Sequence, residues 1–441
     1  MRHRLNNPRV HFMKYQIREI VDVAMKLQKI NPELNIVWEN IGDPIAKGWT
    51  VPPFLKQAII DEVNKPGDKV FGYSHSRGLP EIRKWVAEHV KKLCPSSALD
   101  SEDVLFTSGL GAAICVLYEM LPDGARVIQP TPGYPAHASM ESFFAKAEPI
   151  LYNLDPHDGW QPNLLHLEAQ IQSHPEVTGI LVISPNNPTG AVYSEETLKA
   201  IVDLAVKYHL MIISDEVYFR MVYNGKLHHH MIDVANGRAP LIVMRGTSKD
   251  VPWPGGRSGW IEFHNVGLDH EFKRYADAVK QRVLMEVCST SLPQFILSRI
   301  YDNPEFPAWI QTYNKELEKN GNAIADTLSR TKGLTVNRTD GAFYMMPMFQ
   351  DGILKDRQTL PIAHAETRAF IEQEVAKPGT TLDKRFTLYL LGATGICVVP
   401  ATGFFSPFYG FRLTTLERDD TKRKDTYARL SRAVEEYLAS A

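Results

Sequence analysis

The chain runs to 441 residues, with 49 Lys and Arg against 51 Asp and Glu, a formal charge of -2 and 44% hydrophobic residues. That is ordinary for a soluble globular protein with two or three domains' worth of length, and the near-neutral balance without a basic block gives no support to nucleic-acid or membrane-surface binding. Cys94, Cys115, Cys288 and Cys397 are scattered, with no Cys-x-x-Cys pair, so neither a zinc site nor a disulfide framework is indicated and a reducing cytoplasm is the expected location. The first eight residues are basic but lack the apolar core of a secretory signal, and no run of about eighteen apolar residues follows anywhere.

Short apolar runs alternate with amphipathic stretches. Val104–Thr107, residues 126–130, 149–154 and 179–184, Met211–Asp215, Leu241–Gly246 and Gly259–His264 read as strands of one mostly parallel seven-stranded sheet. Between them lie helical patterns, such as residues 195–207, where Leu198, Ile201, Val202 and Ala205 recur at helical spacing. The expected fold is therefore α/β with helices on both faces, and its ligands should gather at strand C-terminal ends. A long helical pattern over residues 307–330 leads into a smaller region, 334–441, that mixes strands and helices. The expected division is an arm and part of a small domain over 1–48, a large domain over 49–305, and a connecting helix with an α+β small domain over 306–441. The charged stretch 350–386 reads as a lid or a surface elaboration.

Several strand ends carry chemistry. Lys249, in Gly246-Thr247-Ser248-Lys249-Asp250, ends an apolar run, and Arg257 follows eight residues later in Pro254-Gly255-Gly256-Arg257-Ser258-Gly259. A lysine at a buried strand end can be held as a free amine able to form a Schiff base, and an arginine offers a planar fork for phosphate. Asp215 ends another strand, where it either caps the next helix or holds a pyridine nitrogen protonated. Asn187-Pro188-Thr189-Gly190 follows a third. Ser108-Gly109-Leu110-Gly111 reads as a Gly turn opening a helix, whose free N–H groups would cradle a phosphate. His228-His229-His230 invites a metal reading, but three consecutive side chains cannot all face one ion on regular structure, and Asn224-Gly225-Lys226 marks a loop; no metal is expected.

Taken in order and spacing, Asn187-Pro188-Thr189-Gly190, Asp215 with Tyr218, and Ser248-Lys249 with Arg257 and Gly259 resemble the class I/II aminotransferases among the fold-type I pyridoxal-phosphate enzymes. The resemblance covers nearly the whole chain and points to the branch holding alanine, aspartate and aromatic aminotransferases. It implies that pyridoxal 5'-phosphate is the cofactor, that Lys249 is its covalent anchor and general acid/base, and that Asp215 partners the pyridine nitrogen. Asn187 and Tyr218 would bond the phenolic oxygen, Tyr134 would stack on the ring, and Ser108, Gly109, Leu110, Gly111, Thr247, Ser248 and Arg257 would hold the phosphate. Tyr73, five residues before Gly78, resembles the tyrosine that reaches the phosphate of a neighbouring subunit, implying a homodimer with shared active sites. Arg412, in Tyr409-Gly410-Phe411-Arg412-Leu413, resembles the arginine that grips the α-carboxylate, with Gly42 and Asn187 beside it.

Two departures stand out. Many relatives have a hydroxyl residue where this chain has Gly246, so Thr247 or Ser248 would substitute, and Ser258 stands where an apolar residue is usual. The implied reaction is ping-pong transfer of an amino group from an amino acid to a 2-oxo acid, with 2-oxoglutarate the expected shared partner, within amino acid metabolism and biosynthesis. The donor stays open among alanine, aspartate and aromatic amino acids, since no second arginine for a side-chain carboxylate is identifiable. A lyase of the carbon–sulfur or aminocyclopropane-carboxylate-synthase type is the alternative.

Overall fold

A computed structural model describes residues 5–14 and 16–440. The N-terminal helix α1 (Gln16–Ile30) buries Ile20, Ala24 and Leu27, one stripe at helical spacing. The strands follow as β1 (Val37–Trp38), β2 (Val104–Thr107), β3 (Arg126–Thr131), β4 (Leu151–Asp155), β5 (Gln161–Pro162), β6 (Val177–Ile183), β7 (Met211–Asp215), β8 (Leu241–Gly246) and β9 (Gly259–His264). The last eight form one sheet in the order β2-β9-β8-β7-β6-β3-β4-β5. All seven expected strands are in it. The eighth, β5, is a two-residue return antiparallel to β4 at the sheet edge.

The central pairs from β8 through β7, β6 and β3 to β4 are parallel, whereas β9 runs antiparallel to both β8 and β2. Because successive side chains point to opposite faces, each strand feeds two cores. Ile180, Val182, Ile212, Leu241 and Val243 pack into one, and Leu181, Ile183, Ile213, Ile242 and Met244 into the other. Burial on both faces explains why these strands read as unbroken apolar runs. The helix Glu195–Tyr208 shows how the connecting layer is set locally: Ser194 caps it by accepting from Thr197 N at 3.1 Å, Glu195 and Glu196 face the helix dipole, and His209 ends it in the left-handed region.

A 23-residue helix, Phe306–Leu328, leads into the C-terminal part. There β10 (Leu334–Thr335), β11 (Tyr344–Met345), β12 (Met348–Phe349), β13 (Ile396–Cys397), β14 (Val399–Pro400) and β15 (Phe411–Thr414) form small sheets. The largest is antiparallel in the order β11-β15-β14, and β1 pairs in parallel with β13, which ties the N-terminal segment to this part. Residues 350–386 are not a lid. Leu354, Leu360, Ile362 and Ile371 are buried in the core, and the helices Ala365–Val375 and Leu382–Thr394 pack against the back of α1. Among the described residues no helix is long and apolar enough to cross a membrane.

Candidate active site

A cavity of about 320 Å³ opens at the C-terminal ends of the parallel strands, lined by Asn40, Gly42, Leu110, Gly111, Tyr134, Asn187, Asp215, Tyr218, Ser248, Lys249, Arg257 and Arg412. Its size suits a small cofactor with a small substrate. A larger cavity of about 710 Å³ lies at the opposite ends, between Met120, Leu210, Met211 and Phe272, but it has no lysine and its walls are mainly apolar. The chemistry belongs to the smaller one. Most residues singled out from sequence thus converge, from segments more than 300 positions apart.

Each is fixed by its strand end. Asp215 closes β7, and its Oδ1 accepts from Val217 N at 3.2 Å. Its other oxygen lies 3.2 Å from His137 Nε2, and His137 Nδ1 lies 3.0 Å from the Tyr118 hydroxyl, so two buried side chains set the carboxylate's direction. Asn187 is carried by a turn in which Asn186 Oδ1 accepts from Thr189 N at 3.2 Å and its hydroxyl at 2.8 Å. That turn needs Gly190: φ is +74°, and a Cβ there would come within 1.9 Å of Thr339 Oγ1. Lys249 Nζ donates to Gly42 O at 3.0 Å and stands 5.4 Å from the Phe343 ring and 5.8 Å from that of Tyr218. Burial, and then the neighbouring Tyr344 hydroxyl, push the Tyr218 phenol well above the usual tyrosine range.

The helix Leu110–Glu119 begins at Gly109 with no side-chain cap, so its first N–H groups face the cavity at the positive end of the dipole. Arg257 sits directly over this end, bonding Ser108 O at 3.3 Å and Pro254 O at 3.2 Å, and a Cβ on Gly109 would meet its Nη2 at 2.5 Å. Two positive features held together in this way call for an anion between them. Beside them, the Thr247 and Ser258 hydroxyls are buried without hydrogen-bond partners among the described residues, and Thr247 N donates to Ser258 O at 3.3 Å. Gly246 has no room for a side chain: a Cβ would lie 2.9 Å from Ser258 O. A phosphate-bearing group fits the donors present.

Arg412 is 2% exposed, its guanidinium 4.5 Å above the Tyr344 ring and 4.8 Å from that of Phe404. Its Nη2 donates to Asn40 O, and its Nη1 lies 3.3 Å from Asn187 Oδ1. Tyr73 is not part of this cavity; it is 87% exposed on the surface. Sequence reasoning missed His137, Tyr344 and Arg18. His137 follows Tyr134 by one helical turn, which was the available signal. Arg18 and Ile17 line the cavity from α1, and nothing local marks them.

Two of the three consecutive histidines converge, but elsewhere. His230 Nδ1 lies 3.0 Å and His228 Nε2 3.5 Å from Glu216 Oε2, since alternate residues of an extended loop share a side. The same oxygen accepts from Arg245 Nη2 at 2.8 Å, and Arg245 Nη1 bonds Glu262. Burial opposes the charge most strongly, but Arg245, His228 and His230 together outweigh it and hold Glu216 well below the usual carboxylate range. The Arg245 guanidinium supplies positive charge beside this carboxylate.

The fold and site define a class of enzyme. Residues 40–422 match the Aminotransferase class I and II family, and the chain belongs to it. It is 42% identical to an uncharacterised aminotransferase of Methanocaldococcus jannaschii over 97% of both chains. It is 28% identical to the glutamate-pyruvate aminotransferase of Haemophilus influenzae over 70% of this chain and 74% of that one. An aminotransferase structure from Escherichia coli superposes with a TM-score of 0.84 at 23% identity, covering 99% of both chains. The protein is an aminotransferase, of a family that works with pyridoxal phosphate.

Proposed function

We propose that the protein moves an amino group from an L-amino acid to a 2-oxo acid by a ping-pong reaction with pyridoxal 5'-phosphate in the 320 Å³ cavity, and that glutamate and 2-oxoglutarate are one of its substrate pairs. The convergence of Lys249, Asp215, Asn187, Tyr218, Arg257 and Arg412 in one cavity carries this reading. When bound, the cofactor supplies an aldehyde for an amine and a ring that accepts electrons from the substrate Cα.

The chain supplies the rest. The N–H groups at Leu110 and Gly111, with Ser108, Gly109, Thr247, Ser248, Ser258 and Arg257, hold the phosphate. Asp215, aimed by His137, keeps a proton on the ring nitrogen, and Tyr218 and Asn187 donate to the ring oxygen. Tyr134 covers the ring. Arg412 would hold the substrate α-carboxylate, and Lys249 Nζ would serve as the general base and acid for the Cα proton. We assign the cofactor-bearing unit to residues 49–305 and the remainder to a smaller unit, and a homodimer completed at each phosphate by the partner's Tyr73.

Arg18 supports the acidic substrate. It reaches the cavity mouth from α1, is exposed, and makes no ion pair among the described residues, so a side-chain carboxylate would find a charge there. The similarity to a glutamate-pyruvate enzyme points the same way. The purified protein should show a visible band that shifts with glutamate and returns only with a 2-oxo acid. Arg18→Ala should lower kcat/KM for glutamate and 2-oxoglutarate about tenfold or more while sparing alanine and pyruvate. Ammonia release without need of an oxo acid would establish a lyase instead, and equal loss for all substrates would remove Arg18 from side-chain recognition.

A further inference from the structure

Tyr344 stands where three parts of the cavity meet. Its hydroxyl accepts from the Tyr218 hydroxyl at 3.2 Å, and its ring face lies 4.5 Å from the Arg412 guanidinium. It sits on β11, whose neighbour β15 carries Arg412; Tyr344 pairs with Thr414 and Met345 with Leu413. Gly42 has no room for a side chain beneath it, since a Cβ there would come within 2.0 Å of the Tyr344 oxygen, and the Gly42 carbonyl takes the bond from Lys249. Both tyrosines are 3% exposed and line the cavity.

We propose that Tyr344 is a positioning residue that couples carboxylate binding at Arg412 to the strength of Tyr218 as a donor to the cofactor's ring oxygen. This rests on the functional reading above. A phenol has one proton to give. In this structure Tyr218 gives it to Tyr344. When Tyr218 donates to the ring oxygen instead, its own oxygen becomes an acceptor and the Tyr344 O–H turns to donate to it. Chained donors polarise one another, so Tyr344 makes Tyr218 the stronger donor. A ring pressed against Arg412 moves with that arginine when a carboxylate draws it in, and the second bond of the chain lengthens or shortens with it.

The observable is the pH midpoint of the visible band in the cofactor-loaded protein. Weakening the donor makes the ring oxygen more basic, so the proton it shares with the Lys249 link is held more tightly and the midpoint rises. Losing the donor outright in Tyr218→Phe should raise it by about 1–2 units. Tyr344→Phe keeps the ring over Arg412 and removes only the second bond, so a rise of roughly 0.2–0.5 unit is expected. In the double variant the second substitution should add nothing, because the chain is already broken at Tyr218. Succinate, a non-reactive dicarboxylate, should shift the wild-type midpoint and shift that of Tyr344→Phe by about half as much or less.

An unchanged midpoint in Tyr344→Phe, additive shifts in the double variant, or an undiminished succinate response would each overturn the coupling. Wild-type protein that takes up no cofactor, or that is labelled on another lysine by borohydride, would overturn the functional reading and this inference with it.

Discussion

Replacing Arg412 by lysine isolates geometry from charge. The guanidinium is held between the Tyr344 and Phe404 rings and tied to Asn40 O, so its two outer edges have fixed directions. A lysine ammonium keeps the charge but has no plane to fit that slot and cannot present two parallel donors to a carboxylate. Loss of one charge-assisted bond costs about 1.5–3 kcal/mol, and a loosened α-carboxylate no longer aims the Cα–H at Lys249, for a further 1–2 kcal/mol or so. The total is about 2.5–5 kcal/mol, or roughly a 10²–10⁴-fold fall in kcat/KM. The assay is kcat/KM for several donors and acceptors, with each half-reaction followed separately by the change in the visible band. Because every amino acid and oxo acid shares the α-carboxylate, all substrates should suffer alike. A fall confined to one substrate, or one smaller than about fivefold for all of them, would refute the assignment.

Two further substitutions test the scaffold. Gly190→Ala forces a side chain into the left-handed region and onto Thr339 Oγ1 and Tyr344 O, which together should cost about 2–5 kcal/mol in urea unfolding and raise KM through Asn187; wild-type stability would contradict the turn's role. His89 is stacked on Trp85 and accepts from Arg220, and burial, followed by that guanidinium, pushes its pKa down to about 3. Below about pH 6.5 the unfolded chain binds a proton that the folded one refuses, so stability falls with pH down to about 3. Between pH 7 and pH 5 the wild type should lose about 2 kcal/mol more than His89→Gln, and equal pH slopes in urea titrations would count against it.

What could be read from the sequence follows from how each feature is encoded. Strands buried on both faces are largely apolar, which marked β2, β7, β8 and β9 to the residue. Functional groups at their ends stand out as polar interruptions, which is why Asp215, Asn187 and Lys249 were visible. By contrast, β5 is two residues made a strand only by returning along β4, and β1 exists only because Ile396 and Cys397 lie beside it. Neither has a local pattern. Arg18 reads as one more exposed helical charge until α1 is laid across the cavity mouth, and Tyr344 reads as core until Tyr218 is placed opposite it. The polar, charged look of 350–386 came from its outer surface, while Leu354, Leu360, Ile362, Ile371 and Phe386 turn inward.

The support of α1 by that segment separates the wall that meets a substrate side chain from the strand ends that carry the proton chemistry. Ile17, Arg18 and Val21 face the cavity, while the helix's other side rests on Ala365–Val375 and Leu382–Thr394, with Glu19 paired to Lys384 at 3.0 Å. A change in those supporting helices tilts or slides the wall that meets the substrate's side chain, yet touches none of the strand ends that carry Lys249, Asp215 or Asn187. Selectivity can drift through substitutions on the far side of a helix while the proton chemistry stays in place, and libraries for new substrates are better aimed at that hidden seam than at the residues lining the cavity.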